Sequence, residues 1–158
     1  MTFESAGPVL FEGGVSGVTA TRGPNDPEVG ACKTIGSKEY VYVYNAGGST
    51  LAVGEAAICS AAISGALNVT NSSVSGTHIA VGVCQNADIE TLNYGWIMTK
   101  GLGLVKMGNF SAVAGSPLTL AGDGLFDIVS GFTGTLAPVA NAQAAIATGA
   151  TGQAFIRC

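Results

Sequence analysis

Glycine interrupts this chain too often for a long helix to form. The 158 residues include 24 glycines and 5 prolines, and the apolar runs between them are short. Turn-forming clusters return about every 8–12 residues, the spacing of strands in a sandwich or barrel. No run shows the apolar period of an amphipathic helix. The sequence therefore predicts an all-β chain folded as a small β-barrel or β-sandwich. The clearest strand is KEYVYVY, Lys38 to Tyr44, built throughout from residues that favour strands. Val41 and Val43 share one face, expected in the core. Tyr40, Tyr42 and Tyr44 share the other, and a tyrosine row suits a barrel end, a subunit interface or a rim. Further strands are expected over 79–84, 94–100, 125–129 and 153–158, with Asp123 in a hairpin turn at 122–124. Gly101 and Gly103 are expected to stop the strand at Lys100 and open a hairpin or kinked corner before Leu104. Segment 85–93 has room for a short turn of helix, and 139–147 for either a short strand or a helical turn.

The stretch IAVGVCQNADIETLNYGWIMTK, from Ile79 to Lys100, has an echo in LAPVANAQAAIATGATGQAFIRC, from Leu136 to Cys158. An offset of 57 residues pairs Ala80 with Ala137, Ile89 with Ile146, Thr91 with Thr148 and Gly95 with Gly152. A second echo links LAVGEA at Leu51 to the SAVAGSP turn before Leu118. Together they suggest two related halves, 38–100 and 103–158, in one β-rich domain over 38–158. Residues 1–37 read differently. Pro8, Pro24 and Pro27, with many glycines, break any regular element, yet Phe3, Val9, Leu10 and Phe11 are too apolar for a purely solvated tail. An extended N-terminal arm that orders against a partner is expected.

Charged residues make up only 10% of the chain, against 47% hydrophobic, where a soluble domain usually carries about a quarter charged. Such a surface is expected to be covered in part by other subunits. The net charge is −4 and the six basic residues are scattered, so no row of phosphates can be neutralised and no direct nucleic-acid binding is expected. No apolar run reaches the roughly 18 residues of a membrane span, and MTFESAGPVL lacks the basic start of a signal peptide. Synthesis in a cytoplasm and no membrane partner are the expectations. Cys32, Cys59, Cys84 and Cys158 show no metal-ligand spacing, and small buried thiols are expected of them. Asn68-Val-Thr and Asn71-Ser-Ser match the glycosylation acceptor pattern but read as parts of a polar loop.

Catalytic constellations are weak. His78 is the only histidine, and no nucleophile elbow surrounds any serine that might join it with Asp88 or Asp123. Nothing in the sequence around Cys84 lowers a thiol pKa. The pairs Asp88–Glu90 and Asp123–Asp127 lack a calcium-loop pattern. The glycine pairs lack the Lys-Ser/Thr of a phosphate loop. The expectation is no enzyme, no cofactor and no metal.

Taken in order, EYVYVYNAGGSTLAVGEA, IAVGVCQNADI, YGWIMTKGLGLVKM, SAVAGSPL and GQAFIRC resemble the small β-rich head decoration, or cement, proteins of tailed bacteriophages. The likeness covers roughly Lys38 to Cys158 and lies in pattern and order. It implies a β-tulip-like or other small barrel and a structural virion protein on the outer capsid surface. There it would cement neighbouring major capsid protein subunits and associate with itself, as a homotrimer or a homodimer. Under that resemblance Phe3, Val9, Leu10 and Phe11 are candidates for capsid contact. Tyr40, Tyr42, Trp96 and Phe155 are candidates for subunit interfaces, with core packing as the alternative. A host- or carbohydrate-binding module of a phage head or tail fibre, with loops 65–77 and 130–135 as its surface, is the alternative function.

Overall fold

The computed structural model describes residues 26–59, 67–72, 79–128 and 138–158. The capsid-contact candidates Phe3, Val9, Leu10 and Phe11, and also His78, lie outside them. The described chain is all-β, with ten strands and no helix: β1 (Cys32–Ile35), β2 (Lys38–Asn45), β3 (Ala56–Cys59), β4 (Asn68–Val69), β5 (Ile79–Cys84), β6 (Tyr94–Lys106), β7 (Pro117–Gly122), β8 (Leu125–Ile128), β9 (Ala140–Ala142) and β10 (Thr151–Arg157). They form one hydrogen-bonded sheet along the path β1-β2-β6-β10-β9-β7-β8, with β3, β4 and β5 attached to its first half. Pairing is antiparallel except between β2 and β4 and at the Met107–Phe126 bridge.

Most strands fall where alternation and turn chemistry place them, and the exceptions have physical causes. Segment 85–93 makes no helical turn, because Ile89 and Leu51 exchange two backbone hydrogen bonds of 2.9 Å that hold the chain extended there. Residues 139–147 take the strand option as β9. Gly101 and Gly103 do not end a strand: β6 runs through both for 13 residues. Its register skips Thr99, since Tyr40 pairs with Met98 while Glu39 pairs with Lys100. That bulge inverts which side chains point to each face downstream. Gly101 absorbs it at φ +122°, where a Cβ would stand 3.2 Å from the Lys38 Cα and the Ser37 carbonyl oxygen. Gly103 makes room for Gln85, whose carboxamide accepts from Leu104 N–H at 2.7 Å and donates to Leu104 C=O at 2.8 Å. One side chain thus satisfies a strand edge as a neighbouring backbone would. On β2 the backbone of Gly30 and Ala31 performs the equivalent service for Tyr42.

The pairings occur twice. Leu51–Ile89 matches Ala112–Ile146, Ile58–Thr70 matches Thr119–Asp127, and the parallel Asn45–Val69 pair matches Met107–Phe126. Tyr42–Trp96 matches Leu104–Gln153. The turns before β3 and β7 also agree. Gly54 and Gly115 have φ of +89° and +83°. Glu55 Oε2 accepts from Ala52 N–H, as Ser116 Oγ accepts from Val113 N–H, both at 3.1 Å. A longer link between Ile58 and Thr70 than between Thr119 and Asp127 reduces the offset, so early elements match at 61 or 62 residues and later ones at 57. The first half of β6 closes the first set of pairings, and its second half serves as the β2-like strand of the next.

Because of the bulge, the two sets build their cores on opposite faces of β6. Val41, Val43, Leu51, Ala57, Val69, Cys84, Ile89 and Ile97 form one. Their counterparts Val105, Ala112, Leu118, Phe126, Ala142, Ile146 and Ala154 lie in the other. Tyr40, Tyr42, Trp96 and Met98 belong to that second core, so both faces of β2 are buried. Asn45, fully buried, donates to the carbonyls of Ser49 and Ile89 and accepts from Gly47 N–H, so both ends of its amide are engaged at the turn. β1 pairs with β2 from Cys32–Val41 to Ile35–Lys38. It thereby places part of the segment expected as an arm inside the sheet.

Where the two sets meet, the buried Glu55 and Asn71 join a partly exposed Lys106 in a polar cluster. Glu55 immediately precedes β3, Asn71 follows β4, and Lys106 ends β6. Glu55 Oε1 receives Lys106 Nζ at 3.0 Å and its Oε2 receives Asn71 Nδ2 at 2.9 Å. Asn71 is therefore an interior residue, 8% exposed, and not part of a solvated loop. Its Oδ1 is buried without a hydrogen-bond partner.

Candidate interaction surface

The second half of β6 and the whole of β10 alternate strictly. Gly103, Val105, Ala154 and Ile156 face inward, and Leu102, Leu104, Gln153 and Phe155 face out. Leu102 and Phe155 are directly opposed across the two strands, so their side chains stand together on one face. They are 41% and 38% exposed. In the first set of pairings the equivalent position holds Tyr40 opposite Met98, exposed by only 6% and 1%. The same structural site is thus covered once and open once.

Polar residues rim this apolar strip. Lys100 and Arg157 are paired across β6 and β10 at one end, and Glu39 on β2 continues the row and meets Lys100 at 3.0 Å. Both partners of that ion pair are about half exposed, so it contributes little to stability. Arg157 donates to Asn141 Oδ1 on β9. The strip is carried on the main-chain ladders that join β10 to β6 and to β9.

The interface candidates from the sequence separate here. Phe155 lies in the open strip. Tyr40, Tyr42 and Trp96 are 6%, 3% and 7% exposed, within the core of this chain. Trp96 lies 5.2 Å from the Tyr42 ring, with Lys33 Nζ 5.3 Å from its own ring centroid. Leu102 completes the pair, and alternation about Gly101 and Gly103 signals it once β6 is read as one continuous strand. The loops 65–77 and 130–135 lie largely outside the described residues.

Among the described residues, the sequence candidates Cys84, Asp88 and Asp123 are not brought together as one group, and Asp127 stands apart from them as a turn brace. Asp88 accepts from Val53 N–H at 2.8 Å and Asp127 from Phe110 N–H at 3.0 Å, each bracing a turn. Among the described residues, no group of three or more His, Cys, Asp or Glu side chains is placed to hold a metal ion. All four cysteines are free; Cys84 is buried and Cys59 half-buried, whereas Cys32 and Cys158 are exposed at the sheet margins where the sequence suggested buried thiols. Burial first, then the negative charge of Asp88, pushes the Cys84 thiol up to about 12, which removes it as a nucleophile. No known family model and no curated protein sequence matches this chain.

Proposed function

We propose that this protein is a structural virion component that seats on the outer face of a capsid shell and cements neighbouring major capsid protein subunits. The observation that carries the reading is the Leu102–Phe155 strip: apolar, flanked by charge at one end and open, where its internal counterpart is covered. A chain with 10% charged residues adds support, because low charge suits a surface that is buried on assembly. The resemblance of its sequence pattern to phage decoration proteins supplies the partner. Cementing needs no chemistry. Repeated binding to the assembled shell, and not to its dissociated subunits, stabilises the shell by mass action.

The test uses expanded capsids that lack decoration. Wild-type protein is expected to bind them saturably and to raise the temperature at which packaged DNA escapes. The double variant Leu102→Asp, Phe155→Asp places charge on an already exposed face, so it should keep the wild-type circular dichroism spectrum while losing shell binding by at least about tenfold. Absence of saturable binding by the wild type rules out the cement role. Undiminished binding by the folded double variant moves the contact surface elsewhere.

A further inference from the structure

The cluster where the two sets of pairings meet brings together an amine, a primary amide and a carboxylate. Lys106 Nζ and Asn71 Nδ2 are held on the two oxygens of the same Glu55 carboxylate, at 3.0 and 2.9 Å. Other bonds fix the parts. Glu55 Oε2 also accepts from Ala52 N–H, and Asn71 Nδ2 also donates to Thr50 C=O. Exchanging the Asn71 oxygen and nitrogen would set its carbonyl against both the carboxylate and the Thr50 carbonyl, so the amide orientation is determined. The Glu55 side chain is only 9% exposed, and the Lys106 side chain, 37% exposed, reaches its carboxylate from the surface. Two glycines let the strands close around the group. A Cβ on Gly124 would stand 3.0 Å from Asn71 Cβ and 3.2 Å from Glu55 Cβ, and one on Gly54 would stand 3.3 Å from Lys106 Cβ.

We propose that Lys106 and Asn71 form an intramolecular amide cross-link, with Glu55 as the acid-base group. Glu55 takes one proton from the Lys106 ammonium, freeing the amine as a nucleophile. The amine attacks Asn71 Cγ, forming the Nζ–Cγ bond and placing negative charge on Oδ1. Glu55 then returns that proton to Nδ2 and takes one from the attacking nitrogen, which it later releases to solvent. The Cγ–Nδ2 bond breaks and ammonia leaves, to be protonated in solution. The starting ammonium and amide carry five protons on nitrogen; the new amide keeps one and the ammonium ion takes four. No oxidant, cofactor or second protein enters. Holding amine and amide on one buried carboxylate supplies the high effective concentration that an unactivated amide requires. The bond ties the end of β6 to the segment after β4, closing the junction between the two sets of pairings covalently. It does not depend on the capsid reading.

Intact-mass measurement and a tryptic map of the full-length protein, fresh and after prolonged incubation, test this. The cross-linked chain should weigh about 17 Da less than its sequence, the mass of one ammonia. Trypsin should then fail at Lys106 and yield residues 39–100 joined to residues 101–157, because Asn71 and Lys106 lie in those pieces. Glu55→Gln removes the proton carrier, and Lys106→Arg keeps the charge but removes the amine. Each should restore the full mass and release a free 101–106 peptide while retaining a β-sheet spectrum. Folded wild-type protein at full mass after both intervals overturns the proposal. So does an ammonia loss without the joined peptides, which would mark a succinimide at an asparagine. Should a variant fail to fold, the wild-type map alone decides.

Discussion

Cys84 shows how far one buried group can be read from its surroundings. Its Sγ donates to Ala87 C=O at 3.0 Å, and burial pushes its pKa from the ordinary 9.0 to about 12. Alkylation of the native protein at about pH 8 should therefore label exposed Cys32 and spare Cys84, read by peptide mapping. A pH effect on stability follows from the same shift. Between about 9 and about 12 the unfolded thiol has lost its proton and the folded one has kept it. The unfolded state then binds fewer protons, and stability falls as pH rises through that window. The contribution is at most about 1.4 kcal/mol per pH unit. Urea unfolding at several pH values should give a steeper decline in the wild type than in Cys84→Ala, and equal slopes would contradict the assignment. At this scale the sequence signals were uneven. The buried thiol was legible from its apolar strand. The burial of Asn71 was not, because its neighbours Asn68, Thr70, Ser72 and Ser73 read as solvated loop, and only the fold brings Glu55 and Lys106 beside it.

At the scale of elements, two glycines hold the sheet together by what they lack. A Cβ on Gly95 would lie 2.6 Å from Ile89 Cδ1, and one on Gly152 would lie 2.5 Å from Ile146 Cγ1. Each isoleucine arches over the strand that follows it and fills the space above the glycine. Gly95→Ala and Gly152→Ala should each cost about 1–3 kcal/mol by overpacking, measured by denaturant unfolding. Gly48→Ala, where nothing lies within 4 Å, is the control and should stay within about 0.5 kcal/mol. Trimming the neighbour, as in Ile146→Val combined with Gly152→Ala, should give a total smaller than the sum of the singles. Strand positions themselves were legible, since alternation and turn residues place β2, β5, β8 and β10 within a few residues of where they lie. β6 was not, because glycine marks turns more often than it marks strand interiors. Gly101 serves a bulge and Gly103 a side-chain hydrogen bond, and both needs arise only from partners distant in sequence.

In the whole molecule the repeat was faint in sequence because the two cores exchange large and small residues. Leu51 and Ala57 in one occupy the places of Ala112 and Leu118 in the other, while Ile97 and Val69 answer to Ala154 and Phe126. Such swaps preserve core volume while erasing identity. What survives at constant offset is Ile89 with Ile146 and Gly95 with Gly152, the pair that must stay matched within each set. The shared strand has a further consequence for cooperativity. β6 supplies the first core through Ile97 and the second through Met98 and Val105, and it pairs with β2 and β5 as well as β10. The outer side of the first set, Tyr40, Tyr42 and Trp96, is buried in the same cluster as Leu118, Phe126 and Ala140 from the second. Cutting the chain after Lys100 would divide β6 and expose that aromatic face to water, removing the apolar burial that offsets the entropy of ordering the chain. The intact protein should therefore unfold in one calorimetric transition with matching calorimetric and van't Hoff enthalpies. A fragment of residues 26–100 should give the narrow amide spectrum of an unfolded or aggregating chain. Two separate transitions, or a dispersed spectrum from the fragment, would show that each half folds independently and that the shared strand is only a tether.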